Sequence, residues 1–225
     1  MQYQDGYLAI DGSNYKRIWV VGDLHGCKTK FDQALAKVQF DAETDLIISV
    51  GDLIDRGPDS QGCLDLLQYP WFQAVLGNHE VMAISTLGAD DERQANQYAA
   101  HWYVNGGEWF LGLSEPAMEA MWPSWERLSN LPYIIEVQLD GTKVVIAHAN
   151  YPESYVFGKE LDVEDVVWSR KRITDSQKGN VSDIEGADLF IFGHTPIKKV
   201  TQYANQVYID TGAVFDGELT LYQIK

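Results

Sequence analysis

Four of the chain's five histidines sit in short clusters whose neighbours are also ligand-forming. They are Gly22-Asp23-Leu24-His25-Gly26, Leu76-Gly77-Asn78-His79-Glu80, Ile146-Ala147-His148-Ala149-Asn150 and Phe192-Gly193-His194-Thr195-Pro196. A fifth cluster, Gly51-Asp52-Leu53-Ile54-Asp55-Arg56-Gly57, carries two carboxylates and a guanidinium. Imidazole, carboxylate and amide oxygen together suit a pair of manganese-, iron- or zinc-like ions. A carboxylate can bridge two cations, and an arginine beside it can grip a phosphoryl group through its planar fork. If Asn78 serves as a neutral ligand, His79 is free to act as an acid. Each cluster alone has a plainer reading: a capped turn, a surface ion pair, a satisfied core histidine. All five in one chain point to a two-metal phosphoesterase.

Such side chains converge only if regular elements carry them to one place. Arg17–Val21 reads as a buried strand from its continuous apolar run. Phe31, Leu35 and Val38 follow at helical spacing, Asp45–Val50 returns to strand, Asp59–Gln68 is helical, and Phe72–Leu76 is a strand again. This β-α-β-α-β alternation predicts an α/β sheet with helices packed on it. Functional loops in such sheets follow the carboxyl ends of the strands, where Asp23, Asp52 and Asn78 fall. Residues from about 81 to 130 read as mostly helical and hold four of the seven tryptophans, expected as core. His101 lies there, outside every cluster, and reads as a surface or packing residue. Strands are expected again at Tyr133–Gln138, Lys143–Ala147, Asp188–Phe192, Gln206–Ile209 and Glu218–Gln223, with Asp140-Gly141 as a hairpin turn. These later strands could form a second sheet stacked on the first. The polar stretch between Tyr151 and Gly186 shows no clear period.

At 225 residues, a single domain spanning 1–225 is expected. No apolar run approaches the ~20 residues that span a bilayer. The N-terminal residues lack a basic start followed by a long apolar stretch, so no secretory leader is expected. With only Cys27 and Cys63, a reduced, cytoplasmic protein is expected. The balance of 17 Lys+Arg against 33 Asp+Glu, a net charge of −16, argues against nucleic acid and against an anionic membrane as partner. It leaves an enzyme open, because two divalent cations make a site locally positive on an acidic protein. The composition leaves the oligomeric state open.

The ordered motifs GDxHG, GDxxDRG, GNHE, HA(D/G) and GHT resemble those of the phosphoprotein phosphatase branch of the metallophosphoesterases. The chain is especially similar to the subgroup of the bacteriophage lambda protein phosphatase and its bacterial relatives, through Asp45–Pro58, Pro70–Glu80, His148–Gly158, Val167–Gln177 and Gly186–Tyr222. The resemblance implies a four-layer αββα sandwich with two central mixed sheets and a helical insertion. It implies two divalent ions, manganese first, with iron or zinc compatible. One ion would be held by Asp23, His25 and Asp52, the other by Asp52, Asn78, His148 and His194. His79 matches the general acid, Asp55 its orienting carboxylate, and Arg56 and Arg170 the phosphate-gripping arginines. The implied reaction is hydrolysis of phosphoserine and phosphothreonine monoesters, with phosphotyrosine open, in phosphoproteins or phosphopeptides. The expected nucleophile is a hydroxide bridging the two ions, with no covalent phosphoenzyme.

Two positions depart from the pattern: Leu76 stands where arginine is frequent, and Asn150 where aspartate is. Leu76-Gly77-Asn78-His79 also resembles the VLGNH run of symmetrical dinucleoside tetraphosphate hydrolases, which is the rival activity. Glu80 replaces that group's usual aspartate. A catalytically silent phosphoprotein-binding module would be expected to lack a ligand or the acid, and none is missing here.

Overall fold

The computed structural model describes every residue of the chain except Asp5 and Glu153. Among the described residues the strands form two mixed sheets. The smaller has the order Leu221–Gln223, Arg17–Val21, Asp45–Ser49, Phe72–Ala74, with only the first pairing antiparallel. The larger has the order Gln2–Gln4, Tyr7–Asp11, Ile134–Gln138, Lys143–Ala147, Leu189–Phe192, Gln206–Tyr208, Thr201–Tyr203.

Side chains alternate across a strand, so each sheet serves two cores. In Asp45–Ser49, Leu46 and Ile48 join Ile18, Val20, Ile135, Val137 and Ile146 between the sheets. Ile47 points the other way, into a layer with Phe31, Leu64, Met82, Trp102 and Trp125. That outer layer is made by the helices Lys28–Lys37, Ser60–Leu64, Asn78–Leu87, Glu92–Val104 and Glu115–Ser129. The opposite outer layer is made by Val163–Trp168 and Lys171–Gln177, whose Val166, Val167 and Ile173 pack on Tyr7, Val145 and Phe190 of the larger sheet. Three apolar cores separating four layers give the expected αββα sandwich. No helix among the described residues is long and apolar enough to cross a membrane.

Several elements differ from the sequence reading. Tyr7–Asp11 is a strand, paired in parallel with Ile134–Gln138 and burying Tyr7, Leu8 and Ile10. Its alternation spans only five residues beside no motif, and its partner lies more than a hundred residues away. The helix expected over Asp59–Gln68 is α-helical to Leu64 and then tightens to a 3-10 turn over Asp65–Gln68. The unassigned stretch after Tyr151 holds the two helices of the second outer layer. Cys27 and Cys63 are both free thiols, and both are buried.

Candidate metal centre and active site

The clusters occupy the loops that follow the carboxyl ends of strands from both sheets. Asp23 and His25 follow Arg17–Val21, Asp52 follows Asp45–Ser49, and Asn78 opens the helix after Phe72–Ala74. His148 and His194 follow Lys143–Ala147 and Leu189–Phe192 of the larger sheet. All six side chains are buried. The loops are sharply bent: His25, Asp52, Asp55, Arg56 and His194 all have positive φ, between 41° and 76°. Backbone strain of this kind costs on the order of 1–3 kcal/mol per residue and persists only where the surroundings over-determine it. Gly51 shows why the bend is so tight. Its φ is 96°, and a Cβ there would lie 2.6 Å from the Gly77 nitrogen and 3.1 Å from His148 Nδ1.

Asp52 lies at the centre. Its Oδ2 is 3.4 Å from His148 Nε2, 3.5 Å from His25 Nε2 and 4.0 Å from His79 Nε2. Two groups of potential ligands share it: His25, Asp52 and His79, and Asp52, His148 and His194. Asp23 is in neither group; its carboxylate accepts the backbone N–H of His194 at 3.0 Å. Three of the rings are oriented by backbone carbonyls. His25 Nδ1 meets Ile54 O at 2.9 Å, His148 Nδ1 meets Val50 O at 2.7 Å, and His194 Nε2 meets Trp168 O at 3.1 Å. A nitrogen that donates to a carbonyl leaves the other as a lone pair aimed inward, the tautomer that binds a metal.

The donor chemistry fits divalent cations. His148 Nε2 and His194 Nδ1 both point at Asn78 Oδ1, at 3.0 and 2.9 Å. With the other ring nitrogens donating to carbonyls, each inward nitrogen can meet the Asn78 oxygen only by carrying a second proton or by sharing a cation with it. Burial disfavours a charged His148, but the Asp52 carboxylate prevails and raises it to about 10, and a proton there would relieve one contact. His194 keeps the other, because burial and the charge of His148 push it down to about 3. A cation among the three relieves both. Burial likewise lowers His25 to about 3, keeping its imidazole in the neutral, ligating form. The carboxylates tell the same story. Burial is the main cause that raises Asp23, Glu80 and Asp210, and neighbouring carboxylates add to it. For Asp52 burial is outweighed by the imidazoles of His148 and His79, which hold it well below the usual carboxylate range. Divalent ions would offset this concentration of buried negative charge.

Over the cluster lies a cleft of about 370 Å³ lined by Asp52, Arg56, Asn78, His79, Asn105, Trp168, Arg170 and His194. His79 Nδ1 bonds Asp55 Oδ2 at 2.6 Å, and its Nε2 is buried without a partner among the described residues. The exposed Arg56 places Nη1 2.7 Å from His25 Nε2, and the exposed Arg170 reaches the His194 carbonyl at 3.5 Å. Every ligand, acid and arginine candidate from the sequence therefore borders the cluster or its cleft, Asp55 doing so through His79. His101 is exposed and meets Trp168 edge-on at 5.8 Å.

Four neighbours escaped the sequence reading. Glu80 accepts the backbone N–H groups of Asp52, Leu53 and Gly77, each at 2.8 Å. Its place three residues into the helix after Gly77 was a legible capping signal. Asp210 is buried close enough to feel the charge of Asp52, and Asn105 lines the cleft. Trp109, with Trp102, bonds Asp55. Asp210 lies within the Gly186–Tyr222 stretch of resemblance but carries no motif role there, and nothing in the local sequence links Asn105 or Trp109 to the motifs.

Residues 16–198 match the family model of the calcineurin-like phosphoesterases. The chain is 44% identical over 220 residues to serine/threonine-protein phosphatase 2 of Salmonella typhimurium, spanning 97% of this chain and 98% of that one. It is 30% identical over 224 residues to the asymmetrical bis(5'-nucleosyl)-tetraphosphatase of Anoxybacillus flavithermus, spanning 89% and 87%. A solved protein serine/threonine phosphatase from Saccharomyces cerevisiae shares the fold, with a TM-score of 0.61 at 15% identity over 98% of this chain and 84% of that one. The chain belongs to the calcineurin-like phosphoesterase family.

Proposed function

We propose that this protein is a cytoplasmic phosphoprotein phosphatase acting on phosphoserine and phosphothreonine monoesters, the chain forming one catalytic unit. The observation that carries this reading is His79 Nε2, buried, without a hydrogen-bond partner among the described residues, and lining a cleft with two arginines. The 44% identity to a serine/threonine-protein phosphatase over nearly the whole chain supports a phosphoprotein as substrate.

The residues divide the work as follows. Asp23, His25 and Asp52 would hold one divalent ion, and Asp52, Asn78, His148 and His194 a second; the donors suit manganese, iron and zinc alike, and manganese comes first only by the family resemblance. Such ions, when bound, polarise a phosphoryl oxygen and lower the pKa of water. Arg56 and Arg170 grip the phosphoryl oxygens through charge-assisted hydrogen bonds. Asp55 holds Nδ1–H of His79, fixing the ring so that Nε2 faces the scissile ester oxygen. As a water-derived oxygen bonds phosphorus and the ester P–O bond breaks, protonated His79 gives its Nε2 proton to the departing oxygen, leaving an alcohol and phosphate. No side chain of the cluster needs to become phosphorylated.

The test compares phosphate release from phosphoserine, phosphothreonine and phosphotyrosine peptides with cleavage of diadenosine tetraphosphate, in the presence of manganese. Higher kcat/KM on the phosphoserine or phosphothreonine peptides is expected. Efficient cleavage of the dinucleotide with no phosphopeptide hydrolysis would replace this reading with the tetraphosphatase one.

A further inference from the structure

Asp55 is fully buried, and three N–H donors converge on its carboxylate. His79 Nδ1 reaches Oδ2 at 2.6 Å, Trp102 Nε1 reaches the same oxygen at 2.9 Å, and Trp109 Nε1 reaches Oδ1 at 2.7 Å. An indole nitrogen only donates and never titrates, so two of the three partners are fixed in role. Both indoles come from far along the chain, Trp102 from the helix Glu92–Val104 and Trp109 from the 3-10 turn Gly107–Gly112.

This segment is fitted closely to the loop it serves. The backbone N–H of Arg56 donates to Gly106 O at 3.1 Å. A Cβ on Gly107 would lie 2.4 Å from Trp102 Nε1, so only glycine leaves that nitrogen in place. Trp109 and Trp125 stand edge-on to the Trp102 ring, at centroid distances of 6.4 and 6.2 Å. The ring is thereby fixed on its apolar sides, and its one polar atom is spent on Asp55.

We propose that Trp102 and Trp109 are positioning residues for the acid: they lock the Asp55 carboxylate, and through it the His79 ring, so that the helical segment is part of the reaction machinery rather than a cover over the core. The proposal rests on the reading of His79 as proton donor. Without an indole, Asp55 keeps His79 but is free to rotate about its own side-chain torsions, and the ring follows it. Proton delivery to the leaving oxygen then suffers, while binding of the phosphoryl group through Arg56 and Arg170 does not. A purely structural role predicts a different pattern, in which every substrate loses alike.

Trp109→Phe keeps a ring in the half-buried turn and removes only the N–H. The protein loaded with manganese is assayed on a phosphoserine peptide, phenyl phosphate and 4-nitrophenyl phosphate. The last has a good leaving group and little need of an acid. General acid catalysis contributes ~10²–10⁴-fold, so a misplaced acid is expected to lower kcat about tenfold or more on the first two substrates. The loss on 4-nitrophenyl phosphate should be under about threefold, with KM unchanged throughout. Added to Asp55→Asn, the substitution should cost nothing more, because it acts through a carboxylate already gone. Trp109→Tyr, which returns a donor to the ring, should recover part of the loss. Equal losses on all three substrates, or an undiminished loss in the Asp55→Asn background, would overturn the proposal. If Trp109→Phe does not fold, the indole N–H proton resonances of the native protein and of Asp55→Asn decide. Two resonances should move on removing the carboxylate charge, and none moving would dismiss the contacts. Should the native protein ignore phosphopeptides, the phosphatase reading fails, while the two aryl phosphates still test the tryptophans.

Discussion

Glu80 Oε2 accepts the backbone N–H of Asp52 at 2.8 Å. One helix therefore does two jobs. Its first turn presents Asn78 and His79, and the carboxylate that caps it also pins the loop on which the shared ligand Asp52 turns through a φ of 49°. The Gly77 and Leu53 N–H groups on the same carboxylate bind the two loops together from both sides.

Glu80→Gln is expected to loosen this clamp. The amide has a single acceptor oxygen, so at least one buried N–H loses its partner, at a cost of about 1–3 kcal/mol. For a chain of this size each kcal/mol moves the melting temperature by roughly 2–4 °C. Metal affinity should fall about 10–100-fold, as is usual when an outer partner of a ligand is removed. Calorimetry with and without manganese checks both effects. Unchanged melting and unchanged metal affinity would confine Glu80 to helix capping.

Asp52→Asn is expected to empty the centre, because Asp52 is common to both ligand groups. Activity should fall by orders of magnitude and bound metal, measured by elemental analysis, should drop at both positions. Near-native turnover with full metal occupancy would remove Asp52 from the bridging role.

The motif residues were legible because each carries its chemistry in its own type and spacing, and strand ends gave them a common address. The two sheets were legible because short, β-branched apolar runs such as Leu46–Ile48 or Val144–Ile146, bounded by polar or turn residues, favour buried strands. What stayed hidden depends on distant contacts. Trp102 and Asp55 are 47 residues apart and meet only through the fold. Asn150, which reads as a lost charge behind a ligand, is in fact the middle of a chain of contacts. Its Nδ2 donates to Asp165 at 2.9 Å and its Oδ1 accepts from Arg172 at 3.0 Å. An amide can serve both partners at once; an aspartate there would face Asp165 without a donor.

His79→Asn separates an acid from a ligand. If the ring delivers a proton, the loss should reach ~10²–10⁴-fold on a phosphoserine peptide and be much smaller on 4-nitrophenyl phosphate. Equal losses on both, together with loss of metal, would make His79 a ligand instead, as its membership of the His25–Asp52–His79 group allows.

Leu76→Arg tests the other departure from the family pattern. Leu76 is only 4% exposed, and its N–H donates to Pro132 O at 2.8 Å. That environment favours packing over phosphate contact, since an unpaired guanidinium in a core costs several kcal/mol. The expected outcome is a large fall in melting temperature with no gain in inhibition by inorganic phosphate. A stable variant that binds phosphate more tightly, with KM lowered more than kcat is raised, would show that the side chain reaches the cleft.

Removing metal should destabilise the protein as well as silence it. Two imidazole nitrogens converge on Asn78 Oδ1, and burial, with the charge of a neighbouring carboxylate added, raises Asp23, Glu80 and Asp210. A folded chain that binds a cation gains RT ln(1 + [L]/Kd), about 2.7 kcal/mol for one site at a hundredfold excess over Kd. At roughly 2–4 °C per kcal/mol, chelator-treated protein should melt about 5–11 °C below the manganese-loaded form. Adding manganese back should restore both melting temperature and activity. Sodium or potassium at equal ionic strength should do neither, because simple screening of the acidic surface is not what the cluster lacks. A melting temperature indifferent to chelator and to manganese would mean that the cluster is satisfied by its own protons, and the case for a metal centre on these residues would fall.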